Sequence, residues 1–132
     1  MASTQTYSNT AIAEKYLADR DFDIGTVVRI GGPQEIYPAS YQDYAIGVVC
    51  ENPAIVLNSE LENGTLVAIK GRVLVKLLGG CSKGDLLTPY GDACAASIVT
   101  LSAQGDTTVI PFAIALQDQT DPTITLIECH LI

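Results

Sequence analysis

The sequence predicts an all-β fold, a small single-domain β-barrel or β-sandwich with an extended N-terminal arm. Three observations predict it. Roughly seven to nine short apolar runs recur at intervals of about 8–12 residues, the spacing of strands in such folds. Gly, Pro, Asn and Asp gather between the runs, where turns need a preset or positive φ. The 132 residues make one domain by length, and 48% of them are hydrophobic, enough to fill a core. The expected division is an arm over residues 1–22 and one β-rich domain over residues 23–132.

Residues 2–10 are polar and contribute no core of their own. Residues 11–19 (AIAEKYLAD) could form two helical turns, with Ile12 and Tyr16 sharing a face at i, i+4. So short a helix needs a docking surface. The arm is therefore expected to order on a neighbouring chain, with Thr6, Tyr7, Ile12 and Tyr16 as its contact residues.

After a turn at Asp23, Ile24 and Gly25, residues 26–30 (TVVRI) read as the first strand. Gly31, Gly32 and Pro33 break it, and residues 34–37 return. Tyr37, Tyr41 and Tyr44 lie close in sequence around Pro38. Tyrosine joins apolar area to a polar tip, so this group is a candidate interface, with rim packing over the core as the alternative. Residues 45–51 (AIGVVCE) read as a buried strand that Asn52 and Pro53 end. A short apolar run, 54–57, and a polar loop, 58–64, follow.

The stretch 64–87 is the centre of the core. Its runs 66–69 and 73–78 are split by Lys70, Gly71 and Arg72, and Gly79 and Gly80 end the second. In that run Val73, Val75 and Leu77 share one face, while Arg72, Leu74, Lys76 and Leu78 share the other. Residues 82–85 (SKGD) form a tight turn before Leu86 and Leu87, and 89–92 (PYGD) form another. Residues 93–101 read as strand or bent coil, and 102–108 as polar, with a turn at Gln104, Gly105 and Asp106. Residues 109–116 are a strand whose Pro111 makes it an edge or a bulge. After a loop at 117–122, residues 123–132 alternate as the last strand, with Ile124, Leu126 or Ile127, Cys129 and Leu131 as its apolar positions.

The net charge of −8, from seven basic and fifteen acidic residues, excludes a phosphate-neutralising surface, so no nucleic acid is expected. No apolar run approaches the roughly 18–20 residues of a membrane span, and no secretion signal is expected. Cys50, Cys81, Cys94 and Cys129 contain no C-x-x-C, which removes zinc-ribbon and thioredoxin patterns. They are expected to be free, mostly buried thiols. His130 cannot pair with Cys129, since strand neighbours point to opposite faces. The acidic pairs Asp19/Asp21/Asp23, Glu60/Glu62 and Asp118/Asp121 lack the spacing of a calcium loop. No cofactor, metal or catalytic residue is expected, and the chain is not expected to be an enzyme.

Three blocks, in order, resemble a known family. The first is Ala13-Glu14-Lys15-Tyr16, Ala18-Asp19, Gly25-Thr26-Val27-Val28 and Gly31-Gly32. The second is Gly47-Val48-Val49, Asn52-Pro53-Ala54 and Leu57-Asn58-Ser59. The third is Val67-Ala68, Gly71-Arg72-Val73 and Lys83-Gly84-Asp85-Leu86-Leu87. Together, over roughly residues 12–116, they resemble a β-rich module at the C-terminal ends of tailed-phage tail-fibre and appendage proteins, related to an autoproteolytic chaperone domain. The resemblance implies a β-clip or β-tulip-like domain and a virion location. The module is expected to stand free here, without a spike to fold and release, and no catalytic residue of that family is carried over. In layout the chain is similar to small phage head-decoration proteins, an arm followed by a compact β-domain. That similarity implies a capsid decoration (cement) protein that binds the major capsid protein as a homo-oligomer, a trimer, with a tail-fibre, baseplate or appendage component as the alternative and an autoproteolytic chaperone domain as a third reading.

Overall fold

The computed structural model describes residues 10–103, 105 and 109–132. Its strands are β1 (Ile12–Tyr16), β2 (Val27–Ile30), β3 (Ile36–Pro38), β4 (Ala45–Val49), β5 (Ile55–Leu57), β6 (Thr65–Leu78), β7 (Leu86–Tyr90), β8 (Cys94–Ser97), β9 (Ala113–Ala115) and β10 (Ile124–Leu131). One helix, α1 (Ile98–Ala103), follows β8.

The long strand β6 organises the molecule. At about 3.3 Å per residue, 14 residues reach well beyond one sheet. Its C-terminal half pairs with β10 from Gly71↔Leu131 to Leu78↔Ile124. β10 pairs with β9, β9 with β7, β7 with β8, and β8 returns to β6 at Leu77↔Ala95. These five strands close into a barrel. The N-terminal half of β6 belongs to an open sheet, ordered β5-β1-β6-β4-β2-β3.

Gly71 marks the change of sheet. Its φ is +98°, and an added Cβ would fall on the carbonyl oxygen of Thr10. Only glycine takes this bend without strain. The sequence break at Lys70, Gly71 and Arg72 is thus a bend inside one strand, not a loop between two.

Alternation along β6 puts Val73, Val75 and Leu77 inside the barrel, each 2% exposed or less. Across from them β10 presents Cys129, Ile127 and Thr125. Ile127, Cys129 and Leu131 are buried as expected, but Ile124 and Leu126 are 47% and 48% exposed. The period of two assigns the odd positions of β10 to the interior, so Thr125 takes the inward place and Ile124 the outward one. A second, smaller core lies on the opposite face of the open sheet. Val28, Ile36, Val49 and Val67 are its buried centre, with Tyr16, Phe22, Ile46 and Ile69 packed around them.

Four local expectations are corrected. Residues 11–19 are not helical: β1 is a strand, parallel to β5 and antiparallel to β6. Ala11 and Ala13 are fully buried, because methyl side chains let β1 lie tightly against its neighbours. Two ladders satisfy a backbone that two helical turns could not hold alone. Pro89 and Tyr90 lie in β7, not in a turn, and the chain reverses one step later through a 3₁₀ turn at Gly91–Ala93. The segment 93–101 is a strand followed by the start of α1. Finally, the strand expected over 109–116 is only Ala113–Ala115, beyond Pro111. Of the turn expected at Gln104, Gly105 and Asp106, the first and last residues lie outside those described, as do residues 107 and 108.

Candidate interaction surfaces

The N-terminal contact residues divide into two groups. Thr6 and Tyr7 lie outside the described residues. Ile12 and Tyr16 are held in β1 by this chain's own strands. Ile12 sits opposite Ile55 and Lys70, and Tyr16 packs on the smaller core. Burial, followed by the Glu14 and Glu35 carboxylates, raises the Tyr16 pKa. Two contacts tie this part of the chain down: the Thr10 hydroxyl donates to the Arg72 carbonyl at 3.3 Å, and Lys15 Nζ donates to the Ser59 carbonyl at 2.9 Å.

The tyrosines do not form one cluster. Tyr37 stands opposite Arg29 in the β2–β3 ladder, with the Arg29 guanidinium 5.4 Å and that of Arg20 4.9 Å from its ring centre. Each cation lies within reach of a cation–π contact with the ring. Each cation also has a carboxylate: Arg20 pairs with Asp19 at 3.0 Å and Arg29 with Asp43 at 3.2 Å. The bond from Arg20 holds the Asp19 carboxyl below the usual carboxylate range. Tyr41 meets Tyr90 edge to face at 5.9 Å. The β3–β4 loop is therefore pinned to the end of the barrel. Tyr44 is 71% exposed, and Ile30, also at this end of the open sheet, is 57% exposed.

The thiols are free, with Cys50, Cys94 and Cys129 buried and Cys81 half-buried. Burial pushes Cys50 up to about 11 and Cys129 up to about 12, and raises Cys81 and Cys94 as well. A thiol held protonated at neutral pH is a poor nucleophile. His130 is exposed on the outer face of β10, opposite Arg72, while Cys129 points inward. The two are on opposite faces, as strand alternation requires.

Several of the acidic residues serve local structure. Asp23 pairs with Lys76 at 3.4 Å, Asp118 accepts the Lys83 N–H at 2.8 Å, and Asp121 accepts both the N–H and the hydroxyl of Thr123. These last bonds hold Asp121 below its ordinary pKa. Among the described residues, no group of three or more His, Cys, Asp or Glu could hold a metal ion, and no helix is long and apolar enough to cross a membrane.

Two surfaces escaped sequence reasoning. β5 pairs with β1 alone among the described strands and exposes Ile55 and Leu57 at 52% and 43%. On the outside of the barrel, Ile124 and Leu126 lie beside Leu78 and Lys76. Leu126 also crosses Gly25, where an added Cβ would come within 2.6 Å of its Cδ2. The only sequence signal for either surface was a short apolar run, which reads equally well as core.

No family model and no curated protein matches the chain. Among solved structures, it is similar to the C-terminal fragment of bacteriophage phi29 gene product 12. The TM-score is 0.61 at 12% identity, over 94% of this chain and 100% of that one. At that identity the likeness is one of fold. The barrel with its attached open sheet is thus a fold found in a bacteriophage protein, in keeping with the phage resemblance drawn from the sequence blocks.

Proposed function

We propose that the protein is a non-enzymatic structural component of a bacteriophage virion, and within it a capsid decoration protein that binds the major capsid protein as a homo-oligomer, a trimer. The observation that carries this reading is the fold likeness, which spans nearly the whole chain. Three features support it. The protonated, mostly buried thiols and the outward His130 supply no activated nucleophile. Thr6 and Tyr7 precede β1 in the sequence, and a polar segment of that kind suits attachment to a shell protein by backbone pairing. Tyr44, Tyr41 and Ile30 give an exposed aromatic and apolar surface of the composition that interfaces favour.

A second reading, a tail-fibre, baseplate or appendage component, has one observation in its favour. The similar solved fragment is C-terminal in its own protein, where the resembling tail modules also lie. Quantitative mass spectrometry of purified particles separates the two. A copy number comparable to that of the major capsid protein supports shell decoration. A ratio of a few per cent moves the protein to the tail, and its absence from particles rejects both readings.

A further inference from the structure

The two edges of the open sheet differ. At β3 the Leu17 carbonyl accepts the N–H of Glu35 at 3.0 Å and that of Ile36 at 3.1 Å, and Ala18 bridges to Ile36, so that edge is covered. At the far edge β5 pairs with β1 alone among the described residues. An edge strand turns a row of N–H and C=O groups away from its single neighbour, and that row is a template for another strand.

β5 is already held in strand form. The Ala54 N–H donates to the Ala11 carbonyl at 2.9 Å, and the side-chain amide of Asn58 donates to the Lys15 carbonyl at 3.1 Å, so both ends are tied to the chain around β1. Edges that must stay unpaired commonly carry charged side chains, Lys above all. β5 carries the opposite. Ile55 and Leu57, two apart and so on one face, are 52% and 43% exposed.

The charges around β5 select the partner. Glu14 stands opposite Leu57, Glu51 precedes the strand, and Glu60 and Glu62 follow it. The last three are exposed and make no ion pair among the described residues. Against these carboxylates stand Lys15, whose Nζ already donates to the Ser59 carbonyl, and Lys70, opposite Ile12. A second copy would set carboxylate beside carboxylate, which opposes pairing of β5 with β5. A cationic strand meets the acidic surplus with opposite charge. We propose that the β5 edge accepts an extended segment of another protein, flanked by lysine or arginine, as an added strand whose alternate apolar side chains lie on Ile55 and Leu57. This surface is separate from the residues ahead of β1 and does not rest on the virion reading.

The test is a titration of the full chain with a short synthetic peptide of alternating valine and threonine between pairs of lysines, followed in two-dimensional ¹H–¹⁵N spectra at low salt. The amides of residues 54–58 should shift saturably, with a Kd on the order of 10–100 μM. Raising the salt from about 20 to 200 mM should weaken binding at least about threefold, and the same peptide with glutamate for lysine should bind at least about tenfold more weakly. The double variant Ile55→Thr, Leu57→Thr keeps strand propensity and should lose about tenfold in affinity. Glu60→Gln with Glu62→Gln, both at exposed positions, should lose about threefold and keeps the test open should the first variant fold poorly. The proposal is overturned if the lysine peptide shifts nothing at about 1 mM, if the shifts fall elsewhere, if the glutamate peptide binds equally well, or if folded variants bind unchanged. A dimer of the free chain that the Ile55→Thr, Leu57→Thr variant dissolves would assign the edge to a second copy and overturn it too. No particle enters this test, so its failure leaves the virion reading standing.

Discussion

Gly71 holds the two halves of the fold at their angle. Its positive φ and the Thr10 carbonyl leave no room for a methyl group. Gly71→Ala should therefore cost about 2–4 kcal/mol of unfolding free energy, read as a fall in denaturation midpoint with unchanged m-value. Cys129 makes a second prediction at this scale. Burial raises its thiol pKa from 9.0 to about 12, so the folded chain keeps a proton that the unfolded chain releases above pH 9. The resulting stability is complete below about pH 9 and is lost as pH rises toward 12. Thermal melts should be flat near neutrality and fall in alkali, with Cys129→Ala showing a shallower alkaline decline. The sequence made Gly71 legible as an interruption. It could not show that the interruption is a bend within one strand, because that depends on where Thr10 comes to lie.

Strand faces were the most legible elements. The alternation of Val73, Val75 and Leu77 translated directly into the barrel interior. A paired substitution checks it: Leu77→Ala should destabilise by about 2–5 kcal/mol, whereas Leu126→Ala, on the half-exposed outer face, should cost less than about 1 kcal/mol. β1 was misread because AIAEKY suits helix and strand alike, and local propensity yields to a tertiary partner. Its alanines make sense only once β5 and β6 flank it. The start of α1 was missed for the converse reason: IVTL has strand-like composition, and its apolar content gives no period that separates the two states. The burial of β1 also limits how much of the N-terminal arm can be removed. Removal of residues 2–22 deletes β1 and should unfold the open sheet, since Ala11 and Ala13 are fully buried. Removal of residues 2–9 spares every strand among the described residues and should leave the melting temperature within a few degrees of that of the full chain.

For the whole molecule, fold class was readable from strand count and turn spacing, because many short runs with frequent turns admit few arrangements other than a barrel or sandwich. Surfaces were not. An exposed Leu126 and a buried Leu77 are the same residue type in similar runs, and Tyr37, Tyr41 and Tyr44, neighbours in sequence, take three different surroundings. As proposed above, the protein is a virion component that grips its particle through the residues ahead of β1. The most direct test is co-sedimentation of the purified protein with particles lacking it, comparing the full chain with the form missing residues 2–9. The full chain should bind saturably at a fixed number of copies per particle, and the truncated form should lose binding. Equal binding by the two forms would contradict the role of that segment, and no binding by either would contradict the virion reading itself.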